Sequence, residues 1–244
     1  MKPYNQEQTK KQQVEQMFDN IASTYDGLNH ILSFNIDRLW RRRVVRIVRG
    51  TGAKRIMDMA TGTGDLAIAM AKRIPGSHIL GVDLSRKMLD VAQNKIRRQG
   101  LDERIILQHG DAERLDAVAS ESLDAVTVAF GVRNFDDLAG GLQQIHRTIR
   151  PGGTLVVLEF STPRNRAIRW FYAQYSHRLL PQIGGLVSKD KRAYVYLPES
   201  VDEFPSPERF CDLLGGAGFC DVTRHSLSCG IAHIYVARRA PLTE

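Results

Sequence analysis

The residues Arg55–Leu66, reading RIMDMATGTGDL, constrain the fold of this chain more than any other stretch. A short apolar strand with an acid at Asp58 runs into a loop with glycines at Gly62 and Gly64, and an apolar helical pattern, LAIAMAKRI, follows at once. Strand, glycine turn and helix start open a nucleotide-binding α/β unit, because glycine lets the backbone turn tightly and approach a ligand closely. Gly62, Gly64 and Ala67 also satisfy a loose dinucleotide fingerprint, so the glycines alone do not choose the ligand. The charges do. Asp65 lies at the helix start, where a pyrophosphate would sit and where a carboxylate repels phosphate. S-adenosyl-L-methionine has no phosphate and carries a sulfonium and an ammonium, so Asp58 and Asp65 favour it over NAD.

Around this unit, strands are expected at 55–59, 78–83, 104–109, 124–130 and 153–160, and helices at 65–74, 85–99 and 135–149. Such alternation predicts a doubly wound parallel sheet, which binds ligands at the carboxyl ends of its strands. Asp83 ends the second strand, where an acid accepts hydrogen bonds from ribose hydroxyls, and Ser85 caps the next helix. Asp111 and Ala112 follow the third strand and are candidates to meet an adenine; an N-cap role for Asp111 is compatible with that. The fourth strand breaks into GVRNF. Arg133 is too costly to bury without an anionic partner, so it is either salt-bridged or aimed at substrate. A Pro-Gly-Gly turn then leads into the fifth strand, with Glu159 at its end.

Two segments stand outside the repeat. Residues 6–25 read as one amphipathic helix and Ile36–Arg49 as another; residues 1–50 either cover the ligand pocket as a lid or pack on the sheet edge. Residues 161–200 form an aromatic, basic insertion at the strand tips, with Trp170, Phe171, Tyr172, Tyr175, Tyr194 and Tyr196. Its composition suits a flat or hydrophobic substrate and an anionic membrane surface. A final helix with a glycine C-cap precedes two strands that turn at Cys229-Gly230, giving a terminal antiparallel hairpin typical of S-adenosylmethionine methyltransferases.

Composition adds bounds. At 244 residues the chain is expected to form a single domain over 1–244. No apolar run approaches the roughly 18 residues of a membrane span, and the polar N-terminus lacks a signal-peptide core, so a cytoplasmic chain is expected. Cys211, Cys220 and Cys229 form no CxxC pair, which disfavours zinc and disulfides and reads as buried or half-buried thiols. The net charge of +7 comes from clusters at Arg38–Arg46, Arg97–Arg98, Arg164–Arg169 and Lys189–Arg192, each readable as a solvated helix face.

With these residues placed, the chain resembles, nearly end to end, the quinone C-methyltransferases of menaquinone and ubiquinone biosynthesis. The resemblance rests on Phe18-Asp19, Tyr25-Asp26, Leu28-Asn29, Leu32-Ser33-Phe34 and Leu39-Trp40-Arg41, then on DMATGTGDLA, FGVRNF, IRPGGTLVVLEFS, LLPQIGG, YLPESVDEFP and GIAHIY. It implies a Rossmann-like class I methyltransferase with a seven-stranded, mainly parallel sheet. It also implies methyl transfer from S-adenosyl-L-methionine to a ring carbon of a prenylated quinol, in the first instance demethylmenaquinol. The alternatives are a prenyl-methoxybenzoquinol of ubiquinone biosynthesis and a non-catalytic S-adenosylmethionine-binding protein of the membrane surface.

In the family's pattern the cofactor residues fall on Thr63, Asp83, Asp111 and Ala112, beside Asp58, Gly62 and Gly64 from the loop itself. The chain departs from that pattern at Ala129, where a serine is frequent, and at Asn35 and Asp37, where a glycine and a histidine are frequent. Arg133 and Asn134 are the expected catalytic pair: a guanidinium does not deprotonate, so Arg133 stabilises phenolate charge or polarises a water, which Asn134 orients. Tyr25, His30, Asp37 and His233 remain unranked as bases. No metal is expected, and contact with the inner face of a membrane is expected to be peripheral. Nucleic acid is disfavoured as substrate because no Pro-Pro-aromatic run follows the fourth strand and no cysteine lies near the pocket.

Overall fold

The run of apolar residues in Arg55–Met59 is buried almost throughout, as a central strand covered on both faces must be. The computed structural model describes residues 2–4, 7–179 and 190–242. Seven strands form one sheet: β1 (Arg55–Met59), β2 (His78–Asp83), β3 (Ile105–His109), β4 (Leu123–Ala129), β5 (Ile149–Phe160), β6 (Phe219–Leu227) and β7 (Ala232–Arg239). Their order is β3-β2-β1-β4-β5-β7-β6. The first five are parallel, and β7 lies antiparallel between β5 and β6. The order reverses between β1 and β4, so their carboxyl ends splay apart and leave a crevice.

Alternate residues of each strand face opposite layers. Ile56, Ile79, Ala125, Val156 and Ile234 pack under α3 (Ile36–Gly50) and α4 (Asp65–Arg73). Met57, Val82, Val126, Val157 and Tyr235 pack under α6 (Leu138–Thr148) and α9 (Pro207–Gly216). A third cluster lies beyond the strand ends. There α1 (Lys10–Ile21), α2 (Tyr25–Leu32) and α8 (Lys191–Glu203) bury Met17, Ile21, Leu28, Tyr194 and Tyr196 against Met88 of α5 (Arg86–Arg98). The N-terminal segment thus divides: α3 covers the sheet, while α1 and α2 sit over the crevice.

Several sequence expectations are corrected. The helix expected over 6–25 is two helices, because Thr9 caps α1 with a capping box and the chain turns after Ile21, where Thr24 N donates to Ile21 O at 3.0 Å. The helix expected over 135–149 begins only at Leu138, capped by Asp137, and Val132–Asn134 is instead a short 3-10 turn. The fifth strand starts at Ile149, so Pro-Gly-Gly lies within an irregular strand edge. In the insertion, α7 (Arg166–Gln174) runs into a π turn over Tyr175–Leu179; most of LLPQIGG, and Lys189 of the last basic cluster, lie outside the described residues. Cys229 is exposed, not buried, because it occupies the hairpin tip at φ +57°. Among the described residues no helix is long and apolar enough to cross a membrane.

The tips of β1 and β4 approach closely. Ala60 (φ +53°) and Phe130 (φ +60°) both hold left-handed conformations that cost non-glycine residues about 1–3 kcal/mol each. A Cβ on Gly131 would lie 2.5 Å from the Cβ of Ala60. Gly131→Ala is therefore expected to destabilise the fold by about 1–3 kcal/mol in urea unfolding, with the slope unchanged.

Candidate functional site

The crevice holds two adjoining cavities. The first lies over the ends of β1, β2 and β3 and is lined by Gly62, Asp83, Asp111, Ala112, Phe130 and Asn134 among others. Gly62 has φ +55°, and a Cβ there would meet nothing within 4 Å, so the loop presents bare backbone to open space. Asp83 accepts Gly62 N at 2.7 Å on one oxygen and Ser85 N at 2.8 Å on the other. A carboxylate has about four lone-pair sites, so even with Leu84 N as a further donor it keeps acceptor capacity for a ligand hydroxyl. Burial pushes its pKa to about 6, the backbone donors pulling back against it. Asp111 accepts Glu113 N at 3.0 Å and is ion-paired with Lys11 of α1. Lys11, Val14 and Phe18 roof this cleft and narrow it to about 90 Å³.

Three residues expected to touch the ligand do not line the cleft. Asp58 is buried beneath it, accepting Thr127 Oγ1 at 2.6 Å and Thr61 Oγ1 at 2.7 Å, and burial raises its pKa to about 6; it braces the loop from below. Thr63 donates to Asp26 of α2. Gly64 packs on Ala92, 3.2 Å from a Cβ placed there. Asp65 is not an open carboxylate for a cationic ligand either. It pairs with Lys95, with Arg41 at 3.2 Å and with His30 at 3.3 Å. Burial of Asp65 is outweighed by Arg41 and Lys95, which hold its carboxyl below the ordinary range. The helix start is already neutralised by residues that the sequence spreads from 30 to 95.

The second cavity, of about 370 Å³, opens beneath α2, α3, α7 and α8. Phe130 and Phe160 stack at 4.5 Å, and Trp40 meets Phe160 edge-on at 5.9 Å. Arg41 lies 6.0 Å over the Phe130 ring and Arg133 lies 5.7 Å over Phe160. Tyr25 and Phe130 line both cavities and form the wall between them.

Of the two readings left open by its sequence position, the structure shows the salt bridge, and it places Arg133 on the wall of the second cavity. Its guanidinium is paired with Glu159 at 2.7 Å, donates to Phe130 O at 2.6 Å and Ser200 Oγ at 3.2 Å, and also lines the second cavity. Both side chains are almost wholly buried. Burial pushes the Glu159 carboxyl up while Arg133 pulls it back; burial opposes the guanidinium charge, and Glu159 more than restores it. Asn134 lies on the first cavity and accepts Tyr196 Oη at 3.2 Å.

Of the four candidate bases, Tyr25 and Asp37 line the second cavity. Asp37 is saturated: it accepts Ser33 Oγ at 2.6 Å, lies 2.9 Å from His30 Nδ1 and pairs with Arg41. His233 is packed against Ser161, 2.8 Å from its hydroxyl, and burial pushes its pKa down to about 4. Tyr172 also lines the cavity, and burial pushes its phenol up to about 12, against the pull of Arg133. The sequence reading had counted Tyr172 only among the aromatic residues of the insertion, and had given Glu159 no role. A signal for the pair was present: a basic and an acidic residue each follow an apolar strand, and β4 and β5 are neighbours.

The residues fit S-adenosyl-L-methionine. The open backbone at Gly62, the remaining acceptor capacity of Asp83 and the apolar step at Ala112 suit an adenosyl group, and the cleft abuts the aromatic cavity. Among the described residues no cluster of three His, Cys, Asp or Glu side chains is placed to hold a metal.

Comparison with known proteins gives the family and the fold. The model of the ubiE/COQ5 methyltransferase family matches residues 6–239. A demethylmenaquinone methyltransferase of Bacteroides fragilis is 41% identical over 239 residues, covering 98% of this chain and 97% of the relative. A ubiquinone/menaquinone biosynthesis C-methyltransferase of Geotalea daltonii is 43% identical, covering 94% and 97%. A demethylmenaquinone methyltransferase of Thermus thermophilus is 44% identical, covering 91% and 100%. Among solved structures, a Methanococcus maripaludis protein described as a candidate S-adenosyl-L-methionine-dependent methyltransferase superposes with a TM-score of 0.66 at 21% identity, covering 93% and 95%.

The buried pair separates stability from chemistry. Arg133→Ala leaves the Glu159 carboxylate buried without its partner and is expected to cost about 3–5 kcal/mol in denaturant unfolding. Arg133→Met combined with Glu159→Leu is expected to recover most of that loss.

Proposed function

The chain belongs to the ubiE/COQ5 methyltransferase family, and from that premise we propose that it methylates a ring carbon of demethylmenaquinol, using S-adenosyl-L-methionine and yielding menaquinol. The observation that carries this reading is the shared wall. A cleft with a diol-accepting carboxylate meets an aromatic cavity holding a buried arginine, and among the described residues only Tyr25 and Phe130 lie on both sides.

When bound, S-adenosyl-L-methionine supplies an electrophilic methyl group on a sulfonium. Gly62, Asp83 and Ala112 hold its adenosyl portion, and Asp58 keeps the loop in place through Thr61. Positioning of the acceptor carbon against that methyl contributes much of the acceleration. The stacked faces of Phe130 and Phe160 suit a flat bicyclic ring. A quinol carbon becomes nucleophilic when a neighbouring hydroxyl gives its proton to water; as that carbon bonds to the methyl group and releases a neutral thioether, its own hydrogen departs as a second proton to water. Arg133 stabilises the resulting phenolate, because a guanidinium stays charged and Glu159 fixes its plane. Burial keeps Tyr25 and Tyr172 neutral, which makes both phenols donors to the quinol oxygens. Asn134, held by Tyr196, orients the donor side of the wall. The α1 roof acts as a lid. A cleft of about 90 Å³ is smaller than the roughly 300–1,000 Å³ of most small-molecule sites, so the ion pair of Lys11 with Asp111 must open on donor entry.

The Geotalea relative is named for both quinone pathways, which favours testing a benzoquinol beside the naphthoquinol. The test is methyl transfer from labelled S-adenosyl-L-methionine to reduced demethylmenaquinone and to a reduced prenyl-methoxybenzoquinone. Turnover on the naphthoquinol is expected; none on either, with donor binding intact, would overturn the reading. The Arg133→Met/Glu159→Leu protein is expected to bind donor as the parent does and to lose at least about a hundred-fold in kcat. Donor affinity is expected to be flat above about pH 7 and to fall as acid protonates Asp83 through its pKa of about 6, read by calorimetric titration from pH 8 to pH 5. Asp83→Asn should remove that pH dependence.

A further inference from the structure

Among the described residues eight large apolar side chains are exposed, and six of them, Ile31, Phe34, Ile36, Leu39, Trp170 and Phe171, come from α2, α3 and the turn between them and from α7, the elements that cover the aromatic cavity. Phe34 is 75% exposed, Phe171 67% and Trp170 58%. They form one surface. Phe34, at the turn between α2 and α3, lies 6.3 Å from the ring of Tyr175, and Trp170 meets Phe171 edge-on at 4.9 Å. Phe34, Ile36 and Phe171 line the cavity itself, so apolar side chains lead from solvent into the chamber that Phe160 also lines. No residue of α7 is fully buried: Ile168 and Tyr172 are half-buried at the cavity, and Trp170 and Phe171 are exposed. A monomeric protein does not leave such a contiguous patch uncovered without a partner.

The charges beside the patch say what that partner is. On α3, Arg42 and Arg43 lie three and four residues after Leu39 and share its face, and Arg166 lies one turn before Trp170 on α7. All three are exposed and make no ion pair among the described residues. An apolar lip fringed by uncompensated arginines fits the headgroup–acyl boundary of a bilayer containing anionic phospholipid. We propose that the α2–α3 turn and α7 together form a lip that docks on such a bilayer, so that the aromatic cavity opens directly into the acyl layer. The proposal rests on the quinol reading, since a prenylated acceptor resides in that layer and can then enter between Phe34 and Phe171 without crossing water.

The docking test uses the full chain and lipid vesicles without quinol or donor, so it does not depend on activity. Vesicles of phosphatidylcholine with about a third phosphatidylglycerol are expected to carry the protein on flotation, and phosphatidylcholine alone is not; rising salt should weaken the binding. The chain has two tryptophans, and Trp40 is already buried, so a blue shift of emission on binding reports Trp170 and should vanish in Trp170→Phe. Arg42→Ala/Arg43→Ala/Arg166→Ala is expected to lower the partition coefficient on the order of a hundred-fold, at about five-fold per charge. Leu39→Ser/Trp170→Ser should lower it by at least about ten-fold.

None of these substituted residues lines either cavity, so turnover of a short-tailed quinol dispersed without vesicles should be unchanged in each variant. Absence of flotation, equal binding to neutral vesicles, or binding unaffected by the variants would overturn the lip. Turnover without vesicle binding would leave the methyl-transfer reading standing alone. Vesicle binding without turnover would do the reverse.

Discussion

The pairing of Arg133 with Glu159 is the contact on which the site depends. It joins the ends of β4 and β5 at 2.7 Å, and the same guanidinium reaches Phe130 O and Ser200 Oγ of α8. A single buried cation thereby fixes the strand tip that separates the two cavities, the strand that floors the second, and the helix that walls it. Replacing such a pair by apolar groups is often neutral for stability, so stability alone does not account for its presence. Its use is geometric: the pair sets a charged plane 5.7 Å over Phe160, where a flat ring can meet it.

A second set of charges holds the N-terminal helices to the glycine loop. Lys95 bridges Asp26 and Asp65, Arg41 bridges Asp65 and Asp37, and His30 lies between the same two acids. These pairs are half-buried, so each contributes modestly, but as a network they fix α2 and α3 relative to the loop. The roof over the first cleft is held by Lys11 on Asp111, by Ser85 on Asp19 at 2.6 Å, and by burial of Met17 and Ile21 of α1. The site therefore combines a charge-clamped side, next to the aromatic cavity, with a roof seated on a small apolar cluster.

Much of this was legible in the sequence because it follows from short-range pattern. The strands, the glycine loop, the acid at Asp83 and the terminal hairpin are each set by local periodicity and turn chemistry, and most strand bounds agree to within a residue. What was not legible was pairing across distance. Asp65 looks like an available carboxylate until Lys95 and Arg41 are brought to it. Asp58 looks like a ligand until the sheet places Thr127 beside it. The pattern over 6–25 was helical throughout, and only the turn after Ile21 divides it. The strand start at Ile149 was hidden because glycines and a proline read as a turn even when the sheet edge extends them.

The two cavities also differ in how much of the chain each requires. The first is lined by residues from Lys11 to Asp136, whereas the second draws on residues from Tyr25 to Ile231, with Trp40 Nε1 donating to Ser228 Oγ at 3.2 Å across most of the sequence. Contacts of such separation pay their loop-closure entropy before they return anything, so they form late. During synthesis the nucleotide-type cleft has all its lining residues before the hairpin has emerged, while the aromatic chamber waits for the last strands. In that interval Trp40, Phe130 and Phe160 lack their final cover, and a chain stalled there presents a sticky, half-built chamber to its neighbours.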